Sequence, residues 1–239
     1  MASNDSPQQS NTVLEPGVSS CYGHAWKKLW KYPLEVFLIF IIYAVITAPG
    51  SSLNFSTSLE EWTNPYALIA LAFFGTVIGI LGTIYNILVV GPVSFGTSYT
   101  YLKVVRGDPF EIKDMFDGFK TYWNVVIASL VVNIIVVIGF FLLIVPGIIF
   151  ACKLAFVPFL VMDRKMEAIA ALRESWRMTD GHAPDVFFIG LLGIPIAIAG
   201  LLCFGVGVIV SAIWISLTIA SLYHAVSLKK QPTQQSPLD

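Results

Sequence analysis

The sequence predicts an all-α fold: a polytopic membrane helix bundle of about six transmembrane helices with three interfacial amphipathic helices. The first observation behind this prediction is composition. Of the 239 residues, 56% are hydrophobic and only 12% are charged, and the mean hydropathy is +0.76. Soluble domains carry about 25% charged residues. A single soluble core could not bury so many apolar side chains, so the class of soluble domain is excluded.

The second observation is the placement of positive charge. Of the 14 Lys and Arg residues, all except Lys153 flank the long apolar runs, and they occupy alternate connections. They are Lys27, Lys28, Lys31, Lys103, Arg106, Lys113, Lys120, Arg164, Lys165, Arg173, Arg177, Lys229 and Lys230. The connections 50–65, 145–147 and 201–206 carry none. Because positive charge stays on the cytoplasmic side during insertion, this alternation predicts six spans with both termini in the cytoplasm.

The domain organisation follows from the same pattern. We expect a six-span membrane domain at 19–228, between disordered polar tails at 1–18 and 229–239. The net charge of −1 implies no general attraction to nucleic acid. The expected partners are membrane lipids, other membrane proteins or a second copy of the chain.

Each predicted span is an apolar run. The runs are 34–49, 66–90, 122–145, 148–162, 185–200 and a sixth that ends near Leu228. Gly91-Pro92 should kink the second span, which continues at 93–106. A tight turn at Pro146-Gly147 leaves the fourth span roughly 22 Å long, less than the hydrocarbon thickness of about 30 Å. The fifth span contains Pro195 and is expected to be locally broken.

Three amphipathic helices, 19–32, 108–121 and 164–180, each precede a pair of spans. The sequence Asp-Pro-Phe-Glu at 108–111 predicts a capping box in which the Asp caps the second of these helices. A glycine at Gly181 should end the third helix. The apolar side of the third helix carries Met166, Ile169, Leu172 and Trp176.

A G-x-x-x-G pattern at Gly75 and Gly79 lies in the second span. Small residues at this spacing allow close helix packing, either between two copies of the chain or within one bundle. Packing within the bundle is the simpler interpretation, because any six-helix bundle needs small residues at its contacts.

Three polar side chains inside spans form the candidate intramembrane site: Lys153, Asn133 and Asn86. An ammonium group inside a span costs at least about 2.5 kcal/mol. Lys153 is therefore either a site for an anion or a coupled proton, or it is paired or snorkelled. Asn86 and Asn133 need hydrogen-bond partners in hydrocarbon, so they either join helices or line a path for a substrate.

Catalytic and metal-binding patterns are lacking in the sequence. There is no nucleotide loop, G-x-S-x-G, H-E-x-x-H or intramembrane pair of aspartates. The three histidines are far apart, and the three cysteines form no C-x-x-C pair. We therefore expect no enzyme activity, no cofactor and no metal. Asp180, His182 and Asp185 lie close together in sequence at a helix end, where we expect capping and turn chemistry rather than a functional site.

The stretch LLIVPGIIFACKLAFVPFLVMD, followed by AIAALRESWRMTDGH, resembles a bacterial family of multi-spanning integral membrane proteins of unknown function. The matching positions are Pro146, Gly147, Ile148, Asp163, Ala171, Leu172, Ser175, Gly181 and His182. The likeness covers about residues 85–228 and extends distantly to the membrane domain of glycerophosphodiester phosphodiesterases, whose hydrolase part has no counterpart here. It implies a bacterial cytoplasmic-membrane protein in which these residues are structural, and it carries over no catalytic residue.

Two functions are consistent with the sequence. The first is a non-enzymatic membrane scaffold or accessory subunit, indicated by three amphipathic helices on one leaflet and little buried polarity. The alternative is a small-solute or lipid transporter that uses Lys153 and the intramembrane Asn residues. A water-accessible cavity that reaches Lys153 would favour transport, and a paired Lys153 in a packed interior would favour the scaffold.

Overall fold

A computed structural model describes residues 16–52, 65–202 and 206–230 of the protein. In these residues the chain forms ten α-helices, one π-helix and one 3₁₀ helix. They are α1 (Val18–Lys31), α2 (Pro33–Ser52), α3 (Pro65–Tyr85), the π-helix (Asn86–Val90), α4 (Gly91–Arg106), the 3₁₀ helix (Ile112–Phe119), α5 (Tyr122–Leu142), α6 (Ile144–Leu154), α7 (Val157–Asp163), α8 (Ala168–Met178), α9 (Ala183–Leu202) and α10 (Val206–Lys230). The predicted tails, the centre of the loop 50–65 and Cys203 lie almost entirely outside the described residues.

Within the described ranges, five helical segments are long and apolar enough to cross a membrane: Phe73–Arg106, Tyr122–Leu142, Ile144–Asp163, Ala183–Leu202 and Gly207–Lys229. A sixth is obtained if α1 and α2, which meet at an angle of 97°, are counted as one broken span. The predicted class, a multi-pass helical membrane bundle, is confirmed. A π-helix precedes the expected break at Gly91-Pro92, and α4 continues beyond it, whereas α9 runs unbroken through Pro195.

The packed core is formed mainly by α1, α4, α7 and α10. Its fully buried side chains include Ala25, Leu102, Leu160, Leu217 and Tyr223. Apolar side chains elsewhere point outward, among them Phe141, which is 92% exposed, and Leu202, which is 80% exposed. Such a surface is unfavourable in water and suits contact with acyl chains.

Two glycines allow α4 and the 3₁₀ helix to touch backbone to backbone. A Cβ atom at Gly96 would overlap the carbonyl oxygen of Met115, and one at Gly118 would overlap that of Pro92. By contrast, a Cβ atom at Gly75 or Gly79 would meet nothing within 4 Å among the described residues. Within the part of the chain that the structure describes, Gly75 and Gly79 are therefore not packing positions against a neighbouring helix.

The predicted turn at Pro146-Gly147 is also wrong. The chain reverses at Leu143, whose backbone is extended, and α6 already begins at Ile144. Pro146 lies in the first turn of α6, where its missing N–H costs no helical hydrogen bond. Because α6 and α7 together span 20 residues, or about 30 Å, the fourth span is long enough to cross the hydrocarbon layer.

The cap of the second amphipathic helix lies three residues later than predicted. Asp108 belongs to the end of α4, since its N–H donates to the carbonyl oxygen of Lys103 (3.0 Å) after Gly107 turns left-handed at φ 83°. Glu111 is the cap, and the carboxylate of Asp114 accepts the N–H of Glu111 at 3.0 Å. The capping box is thus real but shifted, and the helix that follows is 3₁₀ rather than α.

The third amphipathic helix, α8, starts at Ala168. Lys165 has a positive φ of 51°, which is not helical and separates α8 from α7. Asn124 of α5 supplies the missing cap, accepting the N–H of Ala168 at 2.7 Å and donating to the carbonyl of Met166 at 2.8 Å. Gly181 ends the segment in the left-handed region (φ 84°), as predicted.

Candidate functional site

The π-helix Asn86–Val90 joins α3 to α4 at the candidate site. Pro92 has no N–H, and its ring crowds the carbonyl four residues earlier, which is that of Leu88. The preceding turn widens instead, and the N–H of Gly91 donates to the carbonyl of Asn86, five residues back. Single π-turns of this kind occur frequently at functional sites.

A cleft of about 580 Å³ opens beside this turn, between the α3–α4 segment, α5 and α6–α7. Both Asn86 and Asn133, which the sequence singled out, line this cleft, and we call it the amide cleft. Its other polar lining residues are Thr83, Ser94 and Ser129. Its apolar walls include Ile87, Val90, Val132, Val136, Val137 and Leu154.

The two amides keep part of their hydrogen-bonding capacity. Asn86 donates from Nδ2 to the carbonyl of Gly82 (2.9 Å), and Asn133 donates to that of Ser129 (2.8 Å). Within the described part of the chain, these bonds inside their own helices are the hydrogen bonds that the two side chains make. Among the described residues the two side chains therefore join no other helix, and each amide still has a carbonyl oxygen and a second N–H to offer.

A second cavity, of about 210 Å³, adjoins the amide cleft and lies between α2, α4, α7 and α10. We call it the hydroxyl cavity, because its polar lining consists of Tyr43, Ser94, Thr97, Ser98, Tyr101 and Ser216. Ser94, Ala155 and Pro158 line both cavities. The helix break at Ala155 and Phe156, between α6 and α7, therefore contributes to the wall they share.

Tyr101 is the unusual member of the hydroxyl cavity. Its side chain is only 4% exposed, and its hydroxyl has no hydrogen-bond partner among the described residues. The smaller hydroxyls are satisfied locally, since Thr97 donates to the carbonyl of Val93 (2.8 Å) and Ser98 donates to that of Ser94 (2.9 Å).

Lys153 lines neither cavity. Its ammonium forms an ion pair with Asp180, a residue whose side chain is 63% exposed, and lies 5.4 Å from the ring centre of Trp176. The carbonyl of Lys153 accepts hydrogen bonds from Ser175 (2.7 Å) and Thr179 (3.3 Å). The structure thus brings Asn86 and Asn133 together but separates Lys153 from them, and it gives Lys153 the partner that the sequence did not identify.

The residues that carried the family resemblance have structural positions. Asp163 accepts two hydrogen bonds from the guanidinium of Arg106, at 2.6 and 2.7 Å, and one from the hydroxyl of Tyr223 at 3.1 Å. Gly147 packs in α6 against Phe140, and the N–H of His182 donates to the carbonyl of Thr179. Pro146, Ser175 and Gly181 lie in or at the ends of helices. None of these motif residues lines the two cavities.

The sequence indicated two of the lining amides but not the hydroxyl cavity. Ser, Thr and Tyr are common in membrane helices, where the smaller hydroxyls usually bond to their own helix. Only the convergence of α2, α4, α7 and α10 distinguishes Tyr43, Tyr101 and Ser216 from other polar residues. Local periodicity contains no signal for that convergence.

α1 is joined to α4 by His24, whose Nε2–H donates to the carbonyl of Val105 at 3.1 Å. Burial lowers the pKa of His24 below its ordinary value, and the nearby charges of Lys28 and Lys27 lower it further, against the opposing effect of this hydrogen bond. His24 is therefore neutral at pH 7 and acts as a hydrogen-bond donor between the two helices.

The fold defines a multi-pass helical membrane protein, and among the described residues the linings of these two cavities carry polar side chains but no charged ones. No family model, characterised protein or solved structure matches the chain at a significant level. The geometry of the two cavities is therefore the basis for a functional assignment.

Proposed function

We propose that the protein is a non-enzymatic lipid-handling protein that binds an amphiphilic molecule in the amide cleft, within the bilayer. The observation that carries this proposal is the meeting of Asn86 and Asn133, from two separate spans, in one cleft of about 580 Å³. Ligand sites in proteins are commonly about 300–1,000 Å³, mostly apolar, with a few polar groups that fix orientation. The amide cleft matches this description.

The surroundings of the cleft favour a ligand that enters from the membrane. Asn133 lies near the middle of α5. Nearby apolar side chains on the outer surface of the bundle are exposed, including Val137 at 64%. Amide groups that lack partners in hydrocarbon are costly, so a ligand oxygen or hydroxyl at this depth would be stabilised by them. An acyl chain would fill the apolar walls.

The lining supports binding rather than catalysis. Within the described part of the chain, no Asp, Glu, His, Lys, Arg or Cys lines either cavity. General acid–base or nucleophilic chemistry normally needs such groups in hydrogen-bond reach of the substrate. The role we propose is therefore holding or passing a lipid, not changing it.

We place this role in a bacterial cytoplasmic membrane, with both chain termini in the cytoplasm. The alternation of basic connections supports this orientation. Ion pairs between helix ends are consistent with it, since Lys103 pairs with Asp114 at 2.9 Å and Arg106 pairs with Asp163. The charged ends of α4 and α7 and the 3₁₀ helix therefore lie together.

A scaffold or accessory role is the second candidate, and two observations favour it. Lys153 is paired with Asp180, which fits the non-transport interpretation of that residue. Gly75 and Gly79 leave open space on α3 where another helix could pack closely. In this case a protein, rather than a lipid, would cover the outer surface of the spans.

Native mass spectrometry of the full chain in mild detergent tests the lipid-handling proposal. We expect lipid adducts on the wild type and a loss of at least about tenfold in adduct intensity for the double variant Asn86→Leu/Asn133→Leu. The control is Thr47→Val, which removes a polar group on α2 that donates to its own helix and lines neither cavity. Equal adducts on all three proteins, or protein partners without lipid, would contradict the proposal and favour the scaffold.

A further inference from the structure

We propose that the ligand of the amide cleft has an uncharged, hydroxyl-bearing polar group that binds in the hydroxyl cavity against Tyr101. This inference rests on the proposed function and specifies its ligand class: a neutral single-chain lipid, such as a monoacylglycerol. The chain would lie in the amide cleft and the polar group would lie deeper, between α2, α4, α7 and α10.

The first argument is continuity between the two cavities. Ser94, Ala155 and Pro158 line both, so one molecule can extend from the first into the second. The larger space has mostly apolar walls, whereas the smaller is rich in hydroxyls. The two compartments match the two parts of an amphiphile, an apolar chain and a polar group.

The second argument is the hydroxyl of Tyr101. A buried hydroxyl without a partner costs about 1–3 kcal/mol, and buried Tyr hydroxyls are normally paired. Tyr101 lines the cavity with a side chain that is 4% exposed, and its buried hydroxyl has no partner among the described residues. A ligand oxygen that reaches this hydroxyl would supply the missing hydrogen bond.

The third argument is the lack of charge in the lining. The described cations nearest in sequence on α4, Lys103 and Arg106, are paired with Asp114 and Asp163 and do not line either cavity. Moving a carboxylate or phosphate into such a site would leave it without a counter-charge, which is far more costly than burying a neutral hydroxyl. The lining therefore favours a neutral polar group over an anionic one.

Size sets the last limit on the polar group. The hydroxyl cavity has a volume of about 210 Å³. A glycerol-sized group fits this space, and a large oligosaccharide headgroup does not. Hydroxyls of such a group can also donate to the oxygen atoms of Ser98 and Ser216, whose own protons are used inside their helices.

The test uses the full-length protein in phosphatidylcholine vesicles and two photoreactive probes with the same acyl chain, a monoacylglycerol and the corresponding lysophosphatidate. They differ only in the phosphate. We expect half-maximal labelling of the wild type at a concentration at least about tenfold lower for the monoacylglycerol, with the label on residues of the amide cleft. Tyr101→Phe should raise that concentration about five- to tenfold, and Tyr99→Phe, which changes a tyrosine outside both cavities, should leave it unchanged.

The outcomes separate this inference from the proposed function. Labelling of the cleft by both probes at equal concentration would overturn the neutral ligand class while lipid binding stands. Absence of cleft labelling by either probe would overturn lipid handling itself.

The variants test the position of the polar group. If the monoacylglycerol labels Tyr101→Phe as well as it labels the wild type, the ligand makes no hydrogen bond to the hydroxyl, and the assignment of Tyr101 is overturned. Ser98→Leu, which fills the cavity from another position, should weaken monoacylglycerol labelling as well, and wild-type labelling of that variant would place the polar group elsewhere.

Discussion

The guanidinium of Arg106 makes two parallel hydrogen bonds to the carboxylate of Asp163, joining the end of α4 to the end of α7 across 57 positions of sequence. The hydroxyl of Tyr223 on α10 adds a third bond to the same carboxylate. Bidentate Arg–carboxylate pairs are strong and directional. Three core helices are thus fixed relative to one another beside the hydroxyl cavity, which α4, α7 and α10 help to form.

Asp163→Asn should therefore destabilise the protein by about 3 kcal/mol, the low end of the range for breaking a buried pair. The variant leaves the guanidinium of Arg106, whose side chain is only 25% exposed, without its counter-charge. The melting temperature in mild detergent measures this effect. Arg106→Gln/Asp163→Asn should recover part of the loss, because no charge is then left unpaired, and a double variant no more stable than Asp163→Asn would argue against this account.

Gly96→Ala should destabilise the protein by about 2 kcal/mol or more, because overpacking against a backbone atom cannot be relieved by a side-chain rotation. The added methyl group would overlap the carbonyl oxygen of Met115. Gly190→Ala is the matched control in α9, where a Cβ atom meets nothing within 4 Å among the described residues. The control should melt at or slightly above the wild-type temperature, and equal melting of the two variants would refute the close approach of α4 and the 3₁₀ helix.

The overall class of the protein could be predicted from sequence because composition and charge placement are properties of the whole chain. Local boundaries were less predictable where two elements compete for one residue. Asp108 has the residue type of a helix cap, yet it is tied to the carbonyl of Lys103 at the preceding helix end. Pro146 has the residue type of a turn, yet the first turn of a helix accepts it equally well.

The candidate site was predicted only in part, for a related reason. An amide in a span is rare enough to be noticed, so Asn86 and Asn133 were singled out. Lys153 was noticed for the same reason, but its partner Asp180 lies 27 residues away in a loop after α8, which sequence spacing cannot bring to it. Tyr101 carries no sequence signal, since its importance comes from three helices that surround it.

Protonation of His24 should make the protein less stable as the pH falls below about 6.5. Burial lowers the pKa of His24 in the folded protein, so the unfolded chain binds a proton in this range while the folded chain does not. The free energy of unfolding therefore decreases as the pH falls, by at most about 1.4 kcal/mol per pH unit for one group. Thermal melts between pH 5.5 and 7.5 measure it.

His24→Gln provides the control for that titration. The amide can still donate to the carbonyl of Val105, but it does not titrate, so its melting temperature should fall less steeply with pH than that of the wild type. Other titrating groups, including His224 near His24 and the lysines Lys27 and Lys28, are common to both proteins. Identical pH slopes would exclude His24 as the source.

The proposed orientation predicts opposite labelling at two exposed positions. In a chain whose Cys21, Cys152 and Cys203 are replaced by Ala, a Cys at Leu143 in the turn between α5 and α6 should react with a membrane-impermeant thiol reagent on intact cells. A Cys at Lys120, before α5, should react only after permeabilisation. Both side chains are exposed, so access depends on the side of the membrane. The reverse pattern would invert the topology.

Lys153 gives the last prediction, which separates its role from that of the cleft. Lys153→Met removes a largely buried ammonium, so stability should stay level or rise as the desolvation cost disappears. Asp180→Asn should lower stability by about 1 kcal/mol or more, because the ammonium loses its counter-charge. Asp117→Asn is the matched control, since its partner Lys120 is 76% exposed and hydrated, and its effect should stay below about 1 kcal/mol.

Since Lys153 lines neither cavity, Lys153→Met should also keep its lipid adducts in native mass spectrometry. Loss of those adducts in a stable Lys153→Met protein would show that Lys153 contributes to the lipid site, and that the site is not centred on the amide cleft.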